Sequence, residues 1–122
     1  MATGARGEGV LTLEGEQYPV LFTLRALADA ERATGKTVLQ LMVSFERRDF
    51  GISDTAALLA IGLEHARREH RAGTGGHNLN DAWRLLDGLG FAAVSAVVYE
   101  ALAAAMSYSR PDAEGEQGSP LA

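Results

Sequence analysis

The stretch VLTLEGEQYPVLFTL, residues 10–24, predicts a β-hairpin near the start of the chain. Leu11 and Leu13 alternate with polar residues in its first half, and apolar residues recur at every second position after Tyr18. A period of two is typical of strands that bury one face. Gly15 lies between the two halves, where a short hairpin loop needs a positive φ angle.

The second predicted strand contains Pro19, which lacks a backbone donor and therefore favours a position at the edge of a sheet. Two roles for this edge stay open. It could accept a strand from a neighbouring chain or a client, or Pro19 could blunt it against aggregation. A hairpin alone is marginally stable in water, so its apolar face requires a helical layer.

Capping residues and apolar stripes predict about five helices after the hairpin. Thr23 is a candidate N-cap of the first helix, and Gly35 is a candidate residue for its C-terminal end. Thr37 and Gln40 have the spacing of a capping box for the second helix. The third helix is apolar on nearly every side of its middle, so we expect it to be central.

The order of these elements predicts an α+β, mostly α fold, with an N-terminal β-hairpin followed by a bundle of about five short helices. A chain of 122 residues suits a single domain, which we place at residues 9–107. Residues 1–8 and 108–122 are rich in small and polar residues, so we expect them to be disordered.

Composition excludes several classes of function. The net charge is −5 and no basic stripe is present, which argues against nucleic-acid binding. The chain has no cysteine, which excludes disulfides and thiolate chemistry. No segment approaches the roughly 20 apolar residues that span a bilayer. The sequence therefore predicts a cytoplasmic protein that binds neither nucleic acid nor membrane.

Catalytic and metal-binding patterns are weak. No nucleophile has a readable adjacent base, so we expect no enzyme activity and no cofactor. His65 and Glu69 are four residues apart on a predicted helix, and His77 could join them only through a folded-back loop. A small metal-binding site at these residues stays open as an alternative, although a solvated helix end explains them more simply.

Apolar surfaces that contact other polypeptides are the remaining type of site. The fourth predicted helix carries Trp83 near the edge of its apolar stripe, where it could serve either as core or as an exposed anchor for a partner. The fifth helix carries an alanine-rich stripe suited to close contacts between helices. The candidate partner-binding residues are Leu11, Leu13, Tyr18, Val20, Phe22, Trp83, Val97, Val98 and Leu102.

The order of these motifs resembles a family of small tail proteins from gene transfer agents and siphophages. The resemblance is carried by the hairpin stretch GVLTLEGEQY at 9–18 and by FTLRALADAERATGKTVL at 22–39, where the hairpin runs directly into a helix. It continues through AIGLEH at 60–65, LLDGLG at 85–90 and the alanine-rich last helix, and it covers residues 9 to about 106.

This resemblance implies a non-enzymatic tail assembly chaperone. Such a protein would bind the tape measure protein until tube subunits polymerise around it, and it could also contact the tail tube protein or form a homo-oligomer. The family has also been labelled a tail tube protein, and a structural tail component retained in the particle is the alternative. The two short predicted strands argue against a tube protomer, which needs long strands for a continuous ring of sheet.

Overall fold

The computed structural model describes residues 6–70 and 78–108, which form a two-stranded antiparallel sheet and five helices. The elements are β1 Glu8–Leu13, β2 Glu16–Leu21, α1 Leu24–Thr34, α2 Val38–Glu46, α3 Ile52–His70, α4 Asn78–Leu89 and α5 Phe91–Ser107. The predicted α+β, mostly α class is confirmed. The segments 1–5 and 109–122, which were expected to be disordered, lie outside the described residues.

The hairpin closes through a two-residue loop. Glu14 and Gly15 have φ angles of 55° and 82°, and positive values at both positions define a type I′ turn. The loop sets the register, in which Leu13 faces Glu16 and Leu11 faces Tyr18. The predicted positive φ of Gly15 is confirmed, whereas the left-handed backbone of Glu14 has no signal in the sequence.

Helix α3 is the central element, as predicted, because it contacts β2, α1, α4 and α5. Gly62 allows β2 to approach it closely. A Cβ atom on Gly62 would lie 2.9 Å from Phe22 Cζ and 3.0 Å from Val20 Cβ. Phe22 and Val20 are each 1% exposed, so the hairpin and α3 share the core at this point.

The predicted caps are confirmed. The Thr23 side chain accepts a hydrogen bond from the first turn of α1, and α1 ends at Gly35, which has a φ of 72°. At the start of α2 the Gln40 N–H donates to Thr37 Oγ1 over 3.1 Å, and the Thr37 N–H donates to Gln40 Oε1 over 2.8 Å. These two bonds form the expected capping box and satisfy donors that the helix leaves free.

The start of the ordered domain differs from the sequence-based boundary at residue 9. Strand β1 begins at Glu8, and Gly7 is buried, with its carbonyl accepting a 2.9 Å hydrogen bond from the Phe22 N–H. Residues 6–8 therefore belong to the folded domain, because their backbone continues the pairing of the hairpin. Within residues 6–70 and 78–108, none of the helices combines the length and apolar character needed to cross a bilayer.

Candidate partner-binding site

Most of the predicted partner-binding side chains lie in the hydrophobic core. The buried ones are Leu11, Tyr18, Val20, Phe22, Val98 and Leu102. The reason is that the apolar face of the hairpin packs directly on α3 and α5. This packing buries the surface that the sequence suggested for a partner. The folded domain therefore does not present these side chains, and a role for them in partner binding stays a prediction that requires the core to open.

The other predicted residues lie nearer the surface. Leu13 and Val97 are half-buried and pack against the edge of the core. Trp83 is 40% exposed on α4, and Leu79, one turn earlier, is 54% exposed. Trp83 is therefore neither a core residue nor a fully exposed anchor, because part of its side chain packs on the domain and part is in solvent.

A larger apolar surface, which we call the aromatic cleft, lies between α2, the loop that follows it and the first half of α5. It is open to solvent and has a volume of about 560 Å³. The residues that line it are Phe45, Glu46, Arg48, Phe50, Phe91, Ala92, Ser95 and Tyr99. Most of this lining is aromatic or aliphatic, and the charges of Glu46 and Arg48 lie among the rings.

The rings of the aromatic cleft hold one another in place. Phe45 stacks on Tyr99 with 4.4 Å between ring centroids and 12° between planes, and Phe50 meets Phe45 edge-on at 5.7 Å. Both arrangements are favoured by the quadrupoles of aromatic rings. The Tyr99 hydroxyl donates a 2.5 Å hydrogen bond to Glu46 Oε2, and this bond raises the pKa of Tyr99. Helices α2 and α5 are thereby tied together across the cleft.

Local backbone geometry places these rings. Helix α2 ends at Glu46, and Arg48 has a φ of 59°, which turns the chain so that Phe50 returns to the side of Phe45. Helix α5 begins at Phe91, whose ring is 37% exposed. Phe91 and Tyr99 are eight residues apart and fall near one side of α5, since two helical turns contain about seven residues.

Sequence reasoning missed this site. In the sequence, Phe45 and Phe91 fall within the apolar stripes of their own helices, and Phe50 and Tyr99 belong to no motif. One signal was available in the sequence, because Phe45 and Phe50 lie five residues apart and flank the end of a helix. These two rings meet α5, which lies about forty residues further along the chain. Periodicity within a single helix gives no information about such a contact.

The two proposed metal ligands that the structure describes, His65 and Glu69, contact different side chains. His65 is 7% exposed, and its Nε2 lies 2.9 Å from Asp29 Oδ2 on α1. This hydrogen bond is the main reason that the pKa of Asp29 is lowered below 3.8. Glu69 Oε2 instead lies 3.8 Å from Arg6, and His77 lies outside the described residues. Residues 6–70 and 78–108 contain no group of three side chains arranged to hold a metal.

These features define a small hairpin-and-helix domain whose described surface includes an open apolar cleft of about 560 Å³. The chain belongs to the family described as phage tail tube protein, GTA-gp10, whose sequence model matches residues 6–107. It is therefore a phage or gene transfer agent tail protein, and the family-level part of the predicted resemblance is confirmed. Neither a curated protein nor a solved structure gave a significant match.

Proposed function

We propose that this tail protein is an assembly chaperone that binds the tape measure protein in the cytoplasm during tail morphogenesis. The observation that carries the proposal is the aromatic cleft, which leaves Phe91 and the stacked pair of Phe45 and Tyr99 accessible from solvent. An open apolar cleft beside a helix is the type of surface that receives the apolar face of an amphipathic helix.

The size of the cleft suits a weak and reversible contact. A volume of about 560 Å³ admits a few aliphatic side chains, and each one fully buried contributes about 1.5–3 kcal/mol. Association itself costs about 4–15 kcal/mol, so one cleft on its own gives low affinity. Low affinity at each site lets tube subunits displace the chaperone, while many copies along one long client together keep it covered.

The test is capture of the tape measure protein from the same tail gene cluster by wild-type and variant chains. Phe91→Glu places a charge in the aromatic cleft and should reduce capture at least tenfold. Leu39→Glu is the matched control, because Leu39 is 61% exposed on α2 and does not line the cleft. Circular dichroism checks that both variants fold. Equal capture by the two variants would contradict the assignment of the cleft.

A structural tail component retained in the particle is the second candidate, and the description of the family favours it. The fold argues the other way, because the sheet in the described residues has two strands of six residues each, whereas a tube protomer contributes to a continuous ring of sheet. Mass spectrometry of purified particles separates the two candidates. A chaperone should be absent from them, and a tube component should be present in many copies.

A further inference from the structure

The two free edges of the hairpin differ in chemistry. In a type I′ hairpin the residues that flank the loop form a hydrogen-bonded pair. Along the strands such bonded pairs alternate with open pairs, whose residues form no backbone hydrogen bond with each other. The bonded pairs are Leu13–Glu16, Leu11–Tyr18 and Gly9–Val20, and the bond from Phe22 N–H to the Gly7 carbonyl continues the alternation. In the open pairs the backbone groups point outward, at Glu8, Val10 and Thr12 on β1 and at Gln17, Pro19 and Leu21 on β2.

Only one of these edges has a complete set of outward donors and acceptors. Pro19 removes the central donor from β2, which blunts that edge against pairing. On β1 the central outward residue is Val10, a good strand former that is 40% exposed. Among the described residues, no backbone group of another element forms a hydrogen bond with the outward groups of β1. Strand β1 is therefore the edge that can accept a further strand.

We propose that β1 pairs antiparallel with β1 of a second copy of this chain, which joins two hairpins into one four-stranded sheet. The two-fold axis passes through Val10, so that Val10 faces its own copy and Glu8 faces Thr12 of the second copy. Three outward pairs then exchange about six backbone hydrogen bonds. Such a contact is isologous and closes after two subunits, so it does not propagate into a fibre.

The charges of this segment select a second copy and this register. The pairing centred on Val10 brings Arg6, which precedes β1, towards Glu14 in the loop of the second copy. These side chains are 46% and 81% exposed, and each also lies within 4.0 Å of an opposite charge in its own chain. A shift by two residues in either direction loses one of the three outward pairs. In one of those directions it also brings Glu8 near Glu14 in the loop of the second copy, where the two like charges repel.

Helix α5 lies beneath β1 and supplies the side chains that a second copy would meet next to the sheet. A Cβ atom on Gly9 would lie 3.1 Å from Val97 Cγ1, so α5 runs directly under β1. Ala93, Glu100 and Ala104 share the side of Val97 on a helix with 3.6 residues per turn, and Glu100 is exposed. Ala93 is exposed and Ala104 half-buried. Past the free edge of β1, α5 of the second copy would thus meet mostly small side chains, together with one exposed carboxylate.

The test compares two proline variants by sedimentation velocity. Thr12 and Gln17 face each other in an open pair, so Thr12→Pro and Gln17→Pro each remove one outward donor, from β1 and from β2 respectively. We expect wild type and Gln17→Pro to sediment with twice the 12.9 kDa mass of the chain, and Thr12→Pro to sediment as a monomer with unchanged circular dichroism.

Hydrogen exchange of the wild-type chain supplies a readout that needs no variant. The amides of Val10 and Thr12 should become protected as the concentration rises through the micromolar range, while the amide of Gln17 should not. A wild-type monomer throughout that range would overturn the proposal, and so would equal dissociation of the two proline variants. A dimer that persists in Thr12→Pro would place the contact elsewhere and would also overturn it.

Discussion

Replacement of Gly62 by alanine tests whether the hairpin is seated on α3 as closely as the structure shows. The new Cβ would lie 2.9 Å from Phe22 Cζ and 3.0 Å from Val20 Cβ, whereas carbon atoms prefer about 3.5–4.0 Å. Alanine gains about 1 kcal/mol of helix propensity over glycine. Overpacking a full core costs about 1–3 kcal/mol, and Phe22 is only 1% exposed, so its ring cannot turn out into solvent. We expect a net loss of about 1 kcal/mol in the free energy of unfolding.

Gly88→Ala is the control for the propensity term. Its Cβ would lie 2.8 Å from Leu13 Cδ1, but this atom is the far end of a flexible and half-buried side chain that can rotate away. We therefore expect Gly88→Ala to be stabilised by up to about 1 kcal/mol. Urea unfolding followed by circular dichroism measures both values. A stabilised Gly62→Ala would show that α3 and the hairpin are more loosely packed than the distances state.

Three further predictions concern single side chains. The hydrogen bond from His65 lowers the pKa of Asp29 below 3.8. The stability that this bond contributes is therefore complete above pH 3.8 and is lost as the pH falls through the lowered pKa. Urea unfolding should then show Asp29→Asn to be less stable than wild type at neutral pH, with the gap closing in acid. The carboxylate of Glu46 raises the pKa of Tyr99 above 10.0, so Glu46→Gln should shift part of the tyrosinate absorbance change to lower pH. Thr37→Ala removes the side-chain cap of α2 and should cost about 1 kcal/mol in urea unfolding.

Local signals in the sequence were sufficient for the elements of the fold. Gly15 marked the hairpin loop, and Thr37 and Gln40 marked the start of α2, because turns and caps depend on residues only a few positions apart. Alternation of apolar residues correctly identified the inner face of the hairpin. It did not show what covers that face. In the folded domain α3 and α5 bury Leu11 and Tyr18, and the partner-binding role predicted for them stays a prediction.

The aromatic cleft depends on tertiary structure instead. Phe45 looks like an ordinary core residue within α2, and only the turn at Arg48 together with the approach of α5 leaves its ring at an open surface. The same is true of the asymmetry between the hairpin edges. Pro19 is visible in the sequence, but the direction of its missing donor follows from the register, which the left-handed Glu14 and Gly15 establish.

Helix α5 connects the two proposed surfaces. On its helical wheel, Phe91 and Tyr99 face the aromatic cleft, and Ala93, Val97 and Ala104 lie on roughly the opposite side. A dimer joined through β1 would therefore leave both clefts open, so that each dimer carries two weak binding sites. Two linked sites raise the apparent affinity for a long client by effective concentration, without any new contact in either cleft. Thr12→Pro should accordingly weaken capture of the full tape measure protein and leave the affinity for a single-helix peptide unchanged, whereas Phe91→Glu should weaken both. Equal effects of Thr12→Pro on the two ligands would show that the edge itself contacts the client.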